Sequence, residues 1–143
     1  MIRHGGKILS DQLVKLGVIR VFSVPGESFL AALDGLYDSG IPNIVCRQEG
    51  GAAMMAEAHG KMTGQPGVCF VTRGPGATNA SAGIHIAMQD STPMVLFVGQ
   101  IDNRHTCLLY TSDAADDPTL VDCSVDCVAS TVVGGGGGGG GGG

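Results

Sequence analysis

The chain has 143 residues, of which 43% are apolar, so it is long enough for one domain with a hydrophobic core. Its net charge is −5, and it has no basic stripe of the kind that binds nucleic acid. Its apolar runs are only a few residues long, too short to span a bilayer, and its first residues lack the apolar stretch of a secretory signal. We therefore predict a soluble cytoplasmic protein with no nucleic-acid partner and no membrane partner.

The charge is unevenly distributed along the chain. Residues 1–105 contain eight basic and eight acidic residues, so this part carries 8 − 8 = 0. Residues 106–143 contain five Asp and no Lys or Arg, and residues 134–143 are ten consecutive glycines. This contrast predicts one domain over residues 1–105, followed by a tail over residues 106–143 that is non-native or disordered.

The domain alternates helix and strand signals. The first signals predict a helix over 7–17 from its apolar spacing, a β-branched strand over 18–24, and a helix over 27–40 with Ser28 as its N-cap. Next come a strand over 43–46, a helix over 50–62, a strand over 67–72, a helix over 77–89 and a strand over 93–99. Apolar strands separated by helices indicate a parallel sheet covered on both faces. We predict an α/β fold with three layers, α/β/α, around a parallel central sheet.

Three loops fall at the carboxyl ends of predicted strands, where parallel sheets bind ligands. They span residues 24–27, 47–50 and 71–76, and the second contains Glu49. A carboxylate at a helix N-terminus is favoured by the helix dipole, by roughly 0.3–1 kcal/mol. Position alone therefore leaves two interpretations of Glu49 open, a helix-end charge or a working acid.

Two helices, over 50–62 and 77–89, are rich in Gly, Ala and Ser. Small side chains permit close approach of another backbone, and we interpret these helices as a subunit interface. We predict that the methionines on them fill the core; these are Met54, Met55, Met62 and Met88.

Neither phosphate binding nor metal binding is supported by a motif. The glycine loop TRGPGATNASAG has Asn79 where a dinucleotide fingerprint needs glycine, and no Gly-Lys-Ser/Thr follows it. Cys46 and Cys69 lie in apolar strands and are predicted to be free, buried thiols. Cys123 and Cys127 lack further ligands at zinc spacing. We predict no metal site in this chain.

Several motifs together resemble a known family. The stretches VPGESFLAALDGLYD and RQEGGAAMMAEAHGKMTGQPGVCFVTRGPGATNASAGIHIAMQDSTPMVLFVGQ are similar to the N-terminal pyrimidine-binding (Pyr) domain of thiamine diphosphate-dependent enzymes, in the acetolactate synthase-like group. The resemblance covers about residues 6–100. The combination of Glu-x-x-Ala, Thr-Gly-x-Pro-Gly, Gly-Pro-Gly-Ala-Thr-Asn and Asp-Ser-x-Pro carries it.

The resemblance implies a function and a site. In that family the glutamate at the position of Glu49 hydrogen-bonds a ring nitrogen of the cofactor's aminopyrimidine and so activates the cofactor for attack on a 2-oxo acid. The implied cofactor is thiamine diphosphate, and the implied assembly is a homodimer or homotetramer through the Pyr domain. The implied cofactor-binding residues are Pro25, Gly26, Glu49, Thr72, Gly76 and Asn79.

Departures from the family limit what the resemblance implies. Gln48 and Arg73 stand where many acetolactate synthases carry His and Ser. The resemblance therefore does not identify the 2-oxo acid substrate, and it does not determine whether FAD binds. The Gly-Asp-Gly motif of the domain that binds diphosphate and Mg²⁺ is absent, so we expect the chain to be a fragment of an enzyme. The alternative is a stand-alone α/β domain that binds a nucleotide or acts as a non-catalytic partner.

The tail resembles something other than a protein family. CLLYTSDAADD (residues 107–117) is similar to the translation of a sequencing-library adapter, and the ten glycines resemble a run of G calls. We expect that residues from about Thr106 onward are not biological sequence. The alternative is a natural disordered tail, which the glycine run alone would allow.

Overall fold

The computed structural model describes residues 3–100 and the backbone of residues 128–132. The elements in chain order are α1 (Gly5–Lys15), β1 (Val21–Ser23), a 3-10 turn (Glu27–Phe29), α2 (Leu30–Tyr37), β2 (Asn43–Val45), α3 (Glu49–Thr63), β3 (Gly67–Val71), α4 (Pro75–Gln89), β4 (Met94–Val98) and β5 (Val128–Val132). The alternation of helices and strands that the sequence predicted is confirmed.

One sheet runs through the domain in the order β2-β1-β3-β4-β5. The first four strands are parallel to their neighbours, which confirms the predicted α/β fold with a parallel central sheet. The fifth strand pairs antiparallel with β4, with Met94 opposite Val132. The predicted domain boundary at residue 105, and Cys123 and Cys127, lie outside the described residues, so those predictions stay predictions.

Two hydrophobic clusters lie on opposite faces of the sheet because side chains alternate along each strand. Phe22, Cys69 and Leu96 face α3 and α4, whereas Phe70 and Phe97 belong to the cluster beneath α1 and α2. The rings of Phe70 and Phe97 stack with centroids 4.7 Å apart. Helices therefore cover both faces, as the sequence indicated.

The two predicted thiols differ in their surroundings. Cys69 is fully buried, and burial, with smaller contributions from the charges of Cys46 and Glu49, raises the pKa of its thiol to about 12. Cys46 is half-buried and lies beside Met55, with the two sulfur atoms 3.7 Å apart. The prediction of a buried thiol is confirmed for Cys69 and only partly met by Cys46.

The small residues of α3 and α4 pack these helices against each other within the chain. A β-carbon placed on Gly83 would lie 2.6 Å from Cβ of Ala53, so the two backbones approach more closely than larger side chains would allow. Our interpretation that the small residues form a subunit interface therefore needs correction for these buried positions.

The methionine prediction is wrong. Met54 and Met55 are 44% and 43% exposed, and Met62 and Met88 are 87% and 54% exposed. The buried positions of α3 and α4 are taken by Gly and Ala, together with Glu57, which leaves the longer methionines on the outer surface.

In residues 3–100 and 128–132, no helix combines the length and the apolar character needed to cross a membrane.

Candidate active site

The strand order creates a crevice at one edge of the sheet. The chain passes from β1 to β2 on one side, and then returns to β3 on the other side of β1. At such a reversal the loops that follow the two flanking strands diverge, and ligands bind outside the carboxyl ends of the strands. The loops after β1, β2 and β3 lie at this edge. Pro25, Gly26 and Thr72 lie in these loops, and Glu49 begins the helix that follows the loop after β2.

Glu49 is the first residue of α3 and its side chain is half-buried. The helix is capped by its neighbour, because the side chain of Gln48 accepts a hydrogen bond from the Gly51 backbone N–H at 2.9 Å. The Glu49 carboxylate instead reaches α4, where Oε2 accepts a hydrogen bond from the side-chain amide of Asn79 at 3.0 Å. The charge still suits a helix N-terminus, but the capping role belongs to Gln48.

Two glycines lie directly against Thr72, the residue that follows β3. A β-carbon on Gly26 would lie 2.8 Å from Cβ of Thr72. A β-carbon on Gly76 would lie 2.8 Å from the Thr72 methyl carbon Cγ2 and 3.5 Å from Glu49 Oε1. The backbones of both glycines thus pack directly against the Thr72 side chain, and Gly76 is buried there.

The structure brings five of the six predicted binding residues into one neighbourhood. Glu49 joins Asn79 by a hydrogen bond, and Gly26 and Gly76 adjoin Thr72. Pro25 is exposed and precedes Gly26 in the loop after β1.

Sequence reasoning missed the role of Ser28. Its side chain caps neither the 3-10 turn nor α2, so its prediction as an N-cap is wrong. Its Oγ lies 2.8 Å from Oγ1 of Thr72, and a β-carbon on Gly99 would overlap Ser28 Oγ. The sequence signal for this contact is Gly99, directly after β4. Only glycine there leaves room for the Ser28 side chain, which comes from another part of the chain.

The arrangement can hold and orient a proton. One carboxylate oxygen, Oε2, is fixed by an amide N–H, while the other, Oε1, lies on the side of Gly76 and Thr72. A positioned carboxyl group can give or take a proton at hydrogen-bond distance. Because Gly76 has no side chain, the Thr72 methyl group and this oxygen can both lie beside its backbone.

The chain is similar to a known enzyme family and to several acetolactate synthases. The family model described as "Thiamine pyrophosphate enzyme, N-terminal TPP binding domain" matches residues 3–120. The acetolactate synthase isozyme 2 large subunit of Escherichia coli (strain K12) is 46% identical over 98 residues, which are 68% of this chain and 18% of that protein. The acetolactate synthase of Bacillus subtilis (strain 168) is 43% identical over 98 residues, 68% of this chain and 17% of that protein.

A third relative aligns over more of the chain. The mitochondrial acetolactate synthase catalytic subunit of Aspergillus candidus is 38% identical over 132 residues, 92% of this chain and 18% of that protein. This alignment and the family model both extend past residue 105, and the adapter interpretation of the tail stays a prediction. The chain spans less than a fifth of the length of these three relatives.

Proposed function

We infer the function from one premise: the chain belongs to the thiamine pyrophosphate enzyme family and is its N-terminal TPP-binding domain. We propose that it supplies the aminopyrimidine half of a thiamine diphosphate site in an acetolactate synthase-like enzyme that acts on 2-oxo acids. The observation that carries this proposal is the Glu49 carboxylate, held by Asn79 at the carboxyl edge of the sheet.

The residues at this edge fit the proposed cofactor. A β-carbon on Gly26 or Gly76 would press on Thr72, so glycine at both positions lets Thr72 keep its place beside the proposed site of the ring. Glu49 offers Oε1 to a ring nitrogen, while Asn79 keeps Oε2 in place. Pro25 is exposed and precedes Gly26 in the loop after β1. Pro25 and the five residues around Thr72 and Glu49 would together hold the aminopyrimidine.

When bound, thiamine diphosphate stabilises the carbanion that remains after a 2-oxo acid loses carbon dioxide. The role of this chain is to hold a proton at Oε1 of Glu49 against a ring nitrogen of the cofactor. The amide of Asn79 orients the carboxyl group, because its N–H occupies Oε2. Glu49 is half-buried in this chain, so we propose that the remaining exclusion of water comes from a second subunit.

We test this function in the complete enzyme that carries this domain. Incubation with a panel of 2-oxo acids should release carbon dioxide and form a new carbon–carbon bond, dependent on thiamine diphosphate. Absence of both products across the panel, in an enzyme shown to bind the cofactor, would contradict the proposed activity.

A further part of the proposal is that diphosphate and Mg²⁺ bind to a domain beyond this chain. Among the described residues, no three His, Cys, Asp or Glu side chains gather as a cluster that could hold a metal ion. We expect calorimetry to detect no Mg²⁺-dependent binding of thiamine diphosphate to the 143-residue chain, whereas the complete enzyme binds it and loses it on chelation. Micromolar binding by this chain alone would favour a self-contained binding domain instead.

We also propose that the outer sides of α3 and α4 join a second subunit, in a homodimer or larger homo-oligomer. Four large apolar side chains are exposed there, each by 37% or more of its surface; they are Met54, Met55, Ile86 and Met88. Exposed apolar side chains on neighbouring elements mark association surfaces when they form a patch.

Charge placed on this surface should break the assembly. We expect Met54→Glu combined with Met55→Glu to shift the complete enzyme from oligomer to monomer in analytical ultracentrifugation, because burying two carboxylates without partners is costly. Leu16→Glu is the matched control, since Leu16 is 76% exposed and follows α1 on the opposite face of the sheet. An oligomer that survives the double substitution would place the interface elsewhere.

A further inference from the structure

The Ser28 hydroxyl contacts a residue of the proposed site without lying among the predicted binding residues. Ser28 lies in the 3-10 turn that follows Gly26, and its Oγ is 2.8 Å from Oγ1 of Thr72. Both side chains are half-buried. A hydrogen bond of this length between two hydroxyl groups is well formed, and it joins two loops at the carboxyl edge of the sheet.

The hydrogen bond fixes which side of Thr72 faces Gly76. With Oγ1 turned toward Ser28, the methyl carbon Cγ2 faces Gly76, since a β-carbon placed on Gly76 would lie 2.8 Å from it. That same point is 3.5 Å from Glu49 Oε1. The methyl group of Thr72 and the carboxylate of Glu49 therefore border the same small space.

Rotation about χ1 of Thr72 to another staggered rotamer would move the hydroxyl into the place that the methyl group now takes. Threonine has two different substituents on Cβ, and staggered rotamers place either of them at a given position. A hydroxyl in the place of the methyl would be turned toward the Glu49 side of Gly76, where it could donate a hydrogen bond to the carboxylate. Such a bond would compete for the oxygen that the proposed function reserves for the cofactor.

We propose that Ser28 is a positioning residue, whose hydroxyl locks Thr72 so that its methyl group, and not its hydroxyl, faces the Glu49 carboxylate. This inference rests on the proposed function of Glu49, and it adds a residue from the loop after β1 to the site. Gly99 allows the arrangement, because any β-carbon there would overlap Ser28 Oγ.

The lock can be measured in the 143-residue chain without cofactor. Three-bond couplings from the Thr72 methyl carbon to the backbone nitrogen and to the carbonyl carbon should fit one rotamer, and the methyl protons should show a nuclear Overhauser effect to the α-protons of Gly76. Averaged couplings in the unsubstituted chain would already overturn the proposal. In Ser28→Ala we expect averaged couplings and a weaker Overhauser effect.

Ser39→Ala is the matched control for these spectra. Ser39 is also half-buried and its hydroxyl also makes a hydrogen bond, at 2.7 Å to the carbonyl of Leu36, but it lies after α2 and away from the crevice. This variant should keep the Thr72 rotamer. Unchanged couplings in Ser28→Ala, or equal averaging in both variants, would contradict the lock.

A double-mutant cycle in the complete enzyme tests the consequence for function. Ser28→Ala should slow 2-oxo acid turnover roughly twofold to tenfold, the ratio that corresponds to one ordinary hydrogen bond. In a Thr72→Val background the same substitution should have less than about a twofold effect, because valine has no hydroxyl to turn toward Glu49. Equal effects of Ser28→Ala in both backgrounds would overturn the proposal.

Glu49→Gln in the same assay separates this inference from the proposed function. If Glu49→Gln leaves turnover unchanged, the function assigned to Glu49 fails, and the positioning role fails with it. If Glu49→Gln slows turnover but the effects of Ser28→Ala and Thr72→Val are additive, the positioning role alone fails.

Discussion

Glu49→Gln in the complete enzyme is expected to lower turnover by roughly 10²–10⁴, the usual effect of removing a positioned acid or base. Glutamine keeps the shape of the side chain, and its carbonyl oxygen can still accept the hydrogen bond from Asn79. It cannot share a carboxyl proton with a ring nitrogen. Steady-state turnover with a 2-oxo acid measures the loss, and thermal unfolding in parallel should show that the fold is kept.

The alternative interpretation of Glu49 predicts a different result. A carboxylate that only complements the helix dipole contributes under about 1 kcal/mol to stability, and its loss would leave turnover nearly intact. Glu27→Gln is the matched control, because Glu27 is an exposed carboxylate in the loop after β1 at the same edge of the sheet. We expect this control to keep turnover within about twofold, as for a surface substitution.

Gly67→Ala is expected to destabilise the domain by about 1–3 kcal/mol or more, the range for overpacking a core. Gly67 is the first residue of the fully buried strand β3, and a β-carbon there would overlap the backbone carbonyl of Ala56 in α3. A helix backbone cannot yield as the end of a flexible side chain can, so α3 must move away from the sheet. Urea denaturation of the 143-residue chain measures the change in the free energy of unfolding.

Gly51→Ala provides the opposite case in α3, the helix that Gly67 contacts. Outside its chain neighbours and the backbone of α3, the nearest atom to a β-carbon at Gly51 is 4.0 Å away, and alanine is favoured over glycine inside a helix by up to about 1 kcal/mol. Its backbone N–H, which donates to Gln48, is unchanged. We expect stabilisation by a few tenths to about 1 kcal/mol, and comparable destabilisation by both substitutions would contradict the close packing of β3 under α3.

The elements of this fold could be predicted from the sequence because their signals are local. The apolar run that became β3 and the glycine at the end of α3, Gly64, which adopts a left-handed conformation, mark their own boundaries. Glu49 and Thr72 could be placed at one edge because parallel strands direct their carboxyl ends to the same side. The order of the strands, which creates the crevice between β1 and β3, is not a local property.

The predictions that were wrong concern contacts between segments that are distant in the sequence. Ser28 has the sequence context of an N-cap, yet its hydroxyl bonds Thr72, 44 positions away. The methionines of α3 are hydrophobic, but glycine and alanine take the buried positions because α4 approaches too closely for long side chains. The sequence predicted helices over 50–62 and 77–89 but did not establish which of their residues would face each other.

The role proposed for Glu49 is tested most directly by the rate at which the thiazolium C–H of bound thiamine diphosphate exchanges its hydrogen for deuterium. Acid quench and proton NMR would follow this exchange in the complete enzyme and in its Glu49→Gln variant, with Glu27→Gln as the control. We expect exchange to slow in Glu49→Gln by a factor similar to the loss of turnover, roughly 10²–10⁴. The control should exchange at the rate of the unsubstituted enzyme. If Glu49→Gln exchanges at the rate of the unsubstituted enzyme, the proposed activation of the cofactor by Glu49 is contradicted, and Glu49 only complements the dipole of α3.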